Sequence, residues 1–215
     1  MEILFGEYGG LLLRGTLLSL QLALIGFLGA MVLGTILAMF RVSPIPPLRA
    51  FGGLYVEFFR NVPMVTLMIL VVYGLPYAGV NLGQFWSVIA AIITVGAAFA
   101  CETIRTGINA VSAGQVEAAR AIGLTFWGIS KELVVPQAVR SVISPLVTLF
   151  IGILLSSSLA AVVGMRELTA TAGYINNKAA LGLLTFGVIA VIYMVISLVA
   201  AGIGILLERR FRVLR

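Results

Sequence analysis

Charge is absent from long stretches of this chain. Four runs carry no Asp, Glu, Lys or Arg: Gly15–Phe40, Asn61–Cys101, Ser141–Met165 and Ala179–Leu207. A helix needs about 20 apolar residues to cross the hydrocarbon core of a bilayer, so each run is long enough. The second is too long for one crossing. It is punctuated by Gly74-Leu75-Pro76-Tyr77-Ala78-Gly79-Val80-Asn81-Leu82-Gly83, where Pro and Gly favour a turn. Splitting it there predicts an all-α membrane protein with five spanning helices over about residues 12–40, 51–75, 85–108, 136–163 and 182–207. Residues 1–215 then form a single transmembrane domain. Because 61–73 is too short to span, the second helix reaches back to Phe51, which puts Glu57 and Arg60 inside it near one end. Their i,i+3 spacing lets them pair on one face, and Glu102 and Arg105 repeat the arrangement in the third helix.

Composition supports lipid as the solvent. Hydrophobic residues make up 61% of the chain and charged residues 10%, with a mean hydropathy of +1.15. A soluble domain is about 25% charged, so this chain lacks the polar groups to face water on all sides. A net charge of +6 in a soluble protein would suggest nucleic acid, but here the excess of positive residues in cytoplasmic loops explains it and no nucleic acid is expected. With five spans and a cytoplasmic C-terminus, the inner side holds Arg41, Arg49, Arg60, Arg105, Arg120, Lys131, Arg140, Arg209, Arg210, Arg212 and Arg215. The outer side holds Arg14, Arg166 and Lys178. That asymmetry predicts the N-terminus outside and the C-terminus in the cytoplasm. The first apolar run exceeds the roughly 7–15 residues of a cleavable signal core and has no convincing small-residue cleavage site, so it reads as a membrane anchor. Within it Gly26, Ala30 and Gly34 recur every four residues, which lets another helix approach closely. The single cysteine, Cys101, excludes an internal disulfide and a cysteine-based metal cluster and reads as a small packing residue.

The longest polar connection, about residues 109–135, falls between the third and fourth helices on the predicted cytoplasmic side. Gln115 to Ile122 is rich in helix formers, with Ala118, Ala121 and Ile122 on one face. Gly123 is placed to end that helix in the left-handed conformation, and Thr125 to cap a second short one carrying Phe126 and Trp127. Pro136 suits the first turn of the fourth helix, which needs no amide donor there. The segment therefore reads as a compact knob displaying an acid and two aromatics.

Its spacing carries a resemblance. Glu117-Ala118-Ala119, three residues, Gly123, nine residues, then Leu133-Val134-Val135-Pro136 is similar to the signature loop of ABC-importer permeases, with Leu133 where Ile is more usual. Phe59-Arg60-Asn61-Val62-Pro63, Glu102-Thr103-Ile104-Arg105-Thr106-Gly107-Ile108 and Leu159-Ala160-Ala161-Val162-Val163-Gly164 look like segments of the polar amino acid uptake subfamily. Arg41-Val42-Ser43-Pro44 looks most like the permeases of glutamate uptake systems. The resemblance implies a multi-pass permease of the bacterial cytoplasmic membrane, paired with a second permease, identical or paralogous. An ABC ATPase dimer and an extracytoplasmic solute-binding protein would complete it. It also implies that Glu117, Ala118, Ala119, Gly123, Leu133 and Pro136 couple to the ATPase. ATP with Mg²⁺ would sit on that partner and no cofactor on this chain, which agrees with the absence of any Gly-x-x-x-x-Gly-Lys-Ser/Thr sequence.

For the solute path the polar groups deep in the apolar runs are Arg60, Asn61, Glu102 and the hydroxyls of Ser156, Ser157 and Ser158. Serines in a membrane helix equally bond back to their own backbone. Where the subfamily often has a Lys followed by an acid or amide, this chain has Leu155 and Ser156. A gradient-driven secondary transporter is the alternative; it predicts two symmetric halves, which five unequal helices do not supply. An intramembrane enzyme is excluded by the lack of His and Asp, with both lysines outside the predicted spans.

Overall fold

The structure, a computed structural model, describes residues 2–210. The expected inner cations Arg212 and Arg215 lie outside the described residues. In chain order the elements are α1 (Glu2–Gly6), α2 (Gly9–Val42), α3 (Pro46–Asn61), α4 (Met64–Ile69), a π-helical turn at Leu70–Gly74, α5 (Leu75–Tyr77) and α6 (Gln84–Asn109). They continue with α7 (Ala113–Ala121), α8 (Phe126–Ile129), a second π turn at Ser130–Val134 and α9 (Val135–Ser157). A 3₁₀ turn at Ser158–Val163, α10 (Leu168–Ala179) and α11 (Gly182–Arg210) complete the chain. The described residues are all-α, without a strand.

Four helical stretches are long and apolar enough to cross a membrane: α2, α6, α11 and the continuous run Phe126–Val163. A fifth crossing exists only if α3 and Met64–Tyr77 are one broken span, for they meet at a bend of 102°. The expectation of an unbroken helix over 51–75 is therefore corrected. The cause is Pro63. Its ring disfavours the helical region for the preceding residue, and Val62 (φ −84°, ψ 127°) and Pro63 (φ −60°, ψ 128°) are both extended. The break strips the end of α3 of helical partners for its carbonyls, and Asn61 caps one of them, its Nδ2 donating to the Glu57 carbonyl at 2.6 Å.

The core forms where α2 lies against α6, with α9 closing the third side. Lipid tails are as apolar as Leu, so helices in a membrane gain little from hiding apolar area from each other; close approach and packing decide. Gly26, Ala30 and Gly34 are buried and face α6. A Cβ at Gly34 would lie 2.5 Å from the Ala100 Cβ and 2.9 Å from the Ala97 carbonyl oxygen, so the two backbones nearly touch. Cys101 is fully buried beside Leu37, Ala38, Val56, Ala97 and Ala98, a packing role. The outer surfaces of α2 and α11 are mostly apolar, with Leu13, Leu28, Val32, Leu198 and Leu206 all exposed, as a lipid-facing surface requires.

The expected boundary near Pro136 is also corrected. Phe126 to Val163 is one helical path, because the chain widens into a π turn, Val135 N–H reaching back to the Ser130 carbonyl, directly before the proline. The same device stands before Pro76, where Leu75 N–H reaches the Leu70 carbonyl. A wider turn gives room to a ring that otherwise collides with the preceding turn.

Candidate functional site

Two adjoining cavities open beside the broken span. The larger, about 650 Å³, is mostly apolar but carries the hydroxyls of Thr103, Thr148 and Ser156. The smaller, about 410 Å³, is polar and lined by Arg41, Glu57, Asn61 and Glu102. Arg60 and Phe99 line both. A cavity of about 840 Å³ between Phe5 and the start of α11 is lined by apolar side chains and glycine, without a charged one.

The ionisable groups around the smaller cavity divide into engaged and unengaged. Glu102 on α6 receives the Arg41 guanidinium from α2 and, one turn on, Arg105 Nη2 at 3.1 Å. Two cations on one carboxylate tie the ends of α2 and α6 together. Glu57 and Arg60 behave otherwise. Despite their i,i+3 spacing they form no ion pair, correcting the sequence expectation; the Arg60 guanidinium lies over the Phe99 ring, 5.4 Å from its centroid. The bend after Asn61 puts Arg60 in the last turn of α3, where it reaches across to α6.

The three consecutive serines part company. Ser156 lines the larger cavity. Ser157 is fully buried and donates to the Leu154 carbonyl, and Ser158 donates to that of Leu155, both at 2.6 Å. Arg60, Asn61, Glu102 and Ser156 are thus gathered around the two cavities, while Ser157 and Ser158 bond to their own helix.

At the end of the molecule shared by Arg41 and Arg105, residues 113–134 form a separate projection. Ser112 caps α7, its side chain accepting from Gln115 N–H. Gly123 has φ of +88°, and its N–H and that of Leu124 return to the carbonyls of Arg120 and Ala119 at 2.9 and 3.1 Å. That is the paired hydrogen bonding of a glycine-terminated helix. Thr125 caps α8, accepting from Gly128 N–H at 3.2 Å. Glu117, Ala118, Gly123 and Pro136 are exposed, Ala119 is buried and Leu133 half-buried. Ile122, Phe126 and Trp127 are 80%, 78% and 74% exposed, apolar side chains at and just before the start of the Phe126–Val163 run.

One polar centre escaped the sequence reading. Glu167 caps α10, is fully buried, and accepts from Ala170 N–H at 2.8 Å and Thr169 N–H at 2.9 Å. Its Oε2 also takes the hydroxyls of Tyr193 on α11 at 2.8 Å and Ser19 on α2 at 3.2 Å. Four donors and the positive end of a helix hold this carboxylate, which forms no ion pair among the described residues. The signal was local: an acid directly before Leu168-Thr169-Ala170, at the position where a helix begins.

Comparison with known proteins agrees with this architecture. A probable glutamine ABC transporter permease of Bacillus subtilis is 33% identical over 211 residues, covering 98% of this chain and 97% of its own. A glutamate transport system permease of Corynebacterium efficiens is 33% identical over 224 residues, covering 97% and 98%. A solved amino acid ABC transporter with histidines superposes with a TM-score of 0.89 at 30% identity, over 95% of each chain. Residues 30–213 match the family described as binding-protein-dependent transport system inner membrane component, and with relatives that align end to end, the chain belongs to that family of ABC-transporter permeases.

Proposed function

We propose that this chain is the permease subunit of an ATP-driven importer of a polar amino acid of the glutamate type, with glutamine and other polar or basic amino acids as the neighbouring possibilities. The whole chain acts as one transmembrane domain. Its Arg41 and Arg105 end faces the cytoplasm, with the N-terminus outside. It works with a second permease, identical or paralogous, an ABC ATPase dimer that holds ATP and Mg²⁺, and an extracytoplasmic solute-binding protein. The family is one of non-catalytic membrane subunits, ATP being hydrolysed by a separate ATPase.

The observation that carries this reading is the projection at 113–134. Ile122, Phe126 and Trp127 are exposed apolar side chains at the basic end, carried on two capped helices and a left-handed glycine. Exposed apolar side chains beside the capped turn at Gly123, at the very start of a helical run longer than a bilayer needs, fit a protein partner. A short helical projection entering a groove on the ATPase fits it, with Glu117, Ala118, Ala119, Gly123, Leu133 and Pro136 forming and supporting the contact. Closure of the ATPase dimer then moves the permeases as rigid bodies between inward- and outward-open states. Arg60, Asn61, Glu102 and Ser156 line the solute path, with Ser157 and Ser158 behind Ser156. The relatives named for glutamine and glutamate support the substrate class, and so does Arg60, a cation without a carboxylate partner on the cavity wall.

The test is co-purification followed by uptake. The tagged chain extracted in mild detergent brings down a P-loop ATPase, and Glu117→Ala with Phe126→Ala loses it. Vesicles containing the assembled complex and its binding protein then take up labelled L-glutamate or L-glutamine only with internal ATP. Uptake driven by an ion gradient without ATP overturns the proposal in favour of a secondary transporter.

A further inference from the structure

We infer that Glu57 and Arg60 together bind the zwitterionic head of an α-amino acid, Arg60 taking the carboxylate and Glu57 the ammonium group, inside the smaller cavity. The inference rests on the reading of that cavity as part of the solute path and adds a residue, Glu57, and a division of labour to it.

Four observations converge. The cavity, about 410 Å³, has the size of a small-ligand site and is walled by two acids and two guanidinium groups. Arg41 and Glu102 are engaged with each other, and Arg105 completes the Glu102 carboxylate. That leaves one cation and one anion, Arg60 and Glu57, one helical turn apart on α3. They are placed to neutralise each other, yet Arg60 is stacked on Phe99 instead. The guanidinium therefore lies on the aromatic ring and makes no ion pair with Glu57. Two opposite charges are kept apart in one cavity, which is the complement of an ammonium and a carboxylate on a single carbon.

The surroundings agree. Glu57 and Arg60 are exposed residues of α3 that border the same polar cavity, and neither forms an ion pair among the described residues. Asn61 ties the end of α3 by its bond to the Glu57 carbonyl, fixing the turn that carries both charges. Gly53 lies one turn earlier on the same wall, with no atom within 4 Å of a Cβ built there, so the cavity is open on that side. Arg60 and Phe99 also border the larger cavity, so a ligand held by its head at Arg60 directs its side chain toward Thr103, Thr148 and Ser156. Those are neutral hydroxyls, able to bond a carboxylate or an amide alike. Recognition concentrated on the α-carbon groups leaves the side chain weakly read.

The experiment measures binding to the complete transporter complex in nanodiscs, using labelled L-glutamate competed by glutarate, which lacks only the α-ammonium group. Labelled L-glutamine against glutaramate runs in parallel. In the unaltered complex the amino acid outcompetes its deaminated analogue about tenfold or more. Glu57→Gln, equal in size, lowers amino acid affinity about tenfold and brings the analogue level with it, while Glu57→Asp retains part of the discrimination. Arg60→Ala weakens amino acid and analogue together. Co-purification of the ATPase with each variant checks assembly. Undiminished discrimination in an assembled Glu57→Gln complex overturns the inference alone, provided Arg60→Ala still loses binding. If neither variant alters binding of either amino acid, the path does not run through this cavity and the reading beneath the inference falls with it.

Discussion

The phenol of Tyr193 donates a 2.8 Å hydrogen bond to Oε2 of Glu167, a carboxylate with no surface of its own. The two residues sit on α11 and at the start of α10, and Ser19 brings α2 to the same oxygen. Three segments distant in sequence are thereby joined at a single atom. Removing the acceptor leaves buried donors unmatched, whereas removing one donor leaves the carboxylate three others.

Glu167→Ala is therefore expected to destabilise the purified complex by about 3–5 kcal/mol, enough to abolish its recovery from the membrane. Tyr193→Phe should cost about 1–3 kcal/mol and remain isolable. Thermal denaturation in detergent, read by loss of a monodisperse chromatographic peak, ranks the two; equal effects contradict the shared-acceptor arrangement.

Gly34 and Gly202 make a matched pair. A methyl at Gly34 meets the Ala97 carbonyl oxygen at 2.9 Å and the Cys101 nitrogen at 3.0 Å, backbone atoms that cannot step aside. A methyl at Gly202 has nothing within 4 Å. Gly34→Ala is expected to separate α2 from α6 at a cost of about 1–3 kcal/mol, and Gly202→Ala to be neutral within about 0.5 kcal/mol. The same denaturation assay decides it.

Arg41 and Glu102 are each a little over one-fifth exposed, between a surface pair and a buried one. Their coupling in a double-mutant cycle of Arg41→Ala and Glu102→Ala is expected at about 1–3 kcal/mol. Glu102→Ala alone should be the harsher single change, because it strands Arg105 as well as Arg41. Additive single effects would show that the contact holds nothing together.

At Gly123 the backbone, at φ +88°, lies where a β-branched side chain is strained even though the surrounding space is open. Gly123→Val is expected to distort the turn between α7 and α8 without touching the spans. Membrane abundance stays normal while ATP hydrolysis and uptake lose their proportionality. Uptake per ATP measured in vesicles reads this, and an unchanged ratio removes the turn from the coupling path.

Much of the fold was legible because charge is so sparse. Arg14 and Arg41 bracket the charge-free run of α2, Gly74 to Gly83 separates its successors, and the four-residue repeat of Gly26, Ala30 and Gly34 named the face that meets α6. Gly123 and Thr125 act within three residues of themselves, so local pattern was enough to read the turn between α7 and α8, while the Ser112 cap came only with the structure. The break at Val62-Pro63 was hidden because 61–73 is too short to span alone, so length argued for joining it to the helix before, and a count of apolar length is blind to a bend. α10 was missed because its residues mix small, polar and apolar types, and its anchor, Glu167, finds Ser19 148 residues away. The unpaired state of Arg60 was invisible for the same reason. Spacing favoured Glu57, and only the approach of α6 supplied Phe99.

The two wide turns before Pro76 and Pro136 carry a consequence for how rotation passes along the chain. At 3.6 residues per turn, one additional residue advances everything beyond it by about 100° of azimuth. The direction in which Phe126 and Trp127 point relative to Ser156, on the same continuous helical path, thus depends on a single backbone residue rather than on any side chain. Deleting one residue from Ser130–Val134 would re-screw the helix and swing the projection a quarter-turn round its axis while every span stays inserted. The phase between the two ends of that helix is a dial with one tooth, cut where a proline already forbids the ordinary pitch.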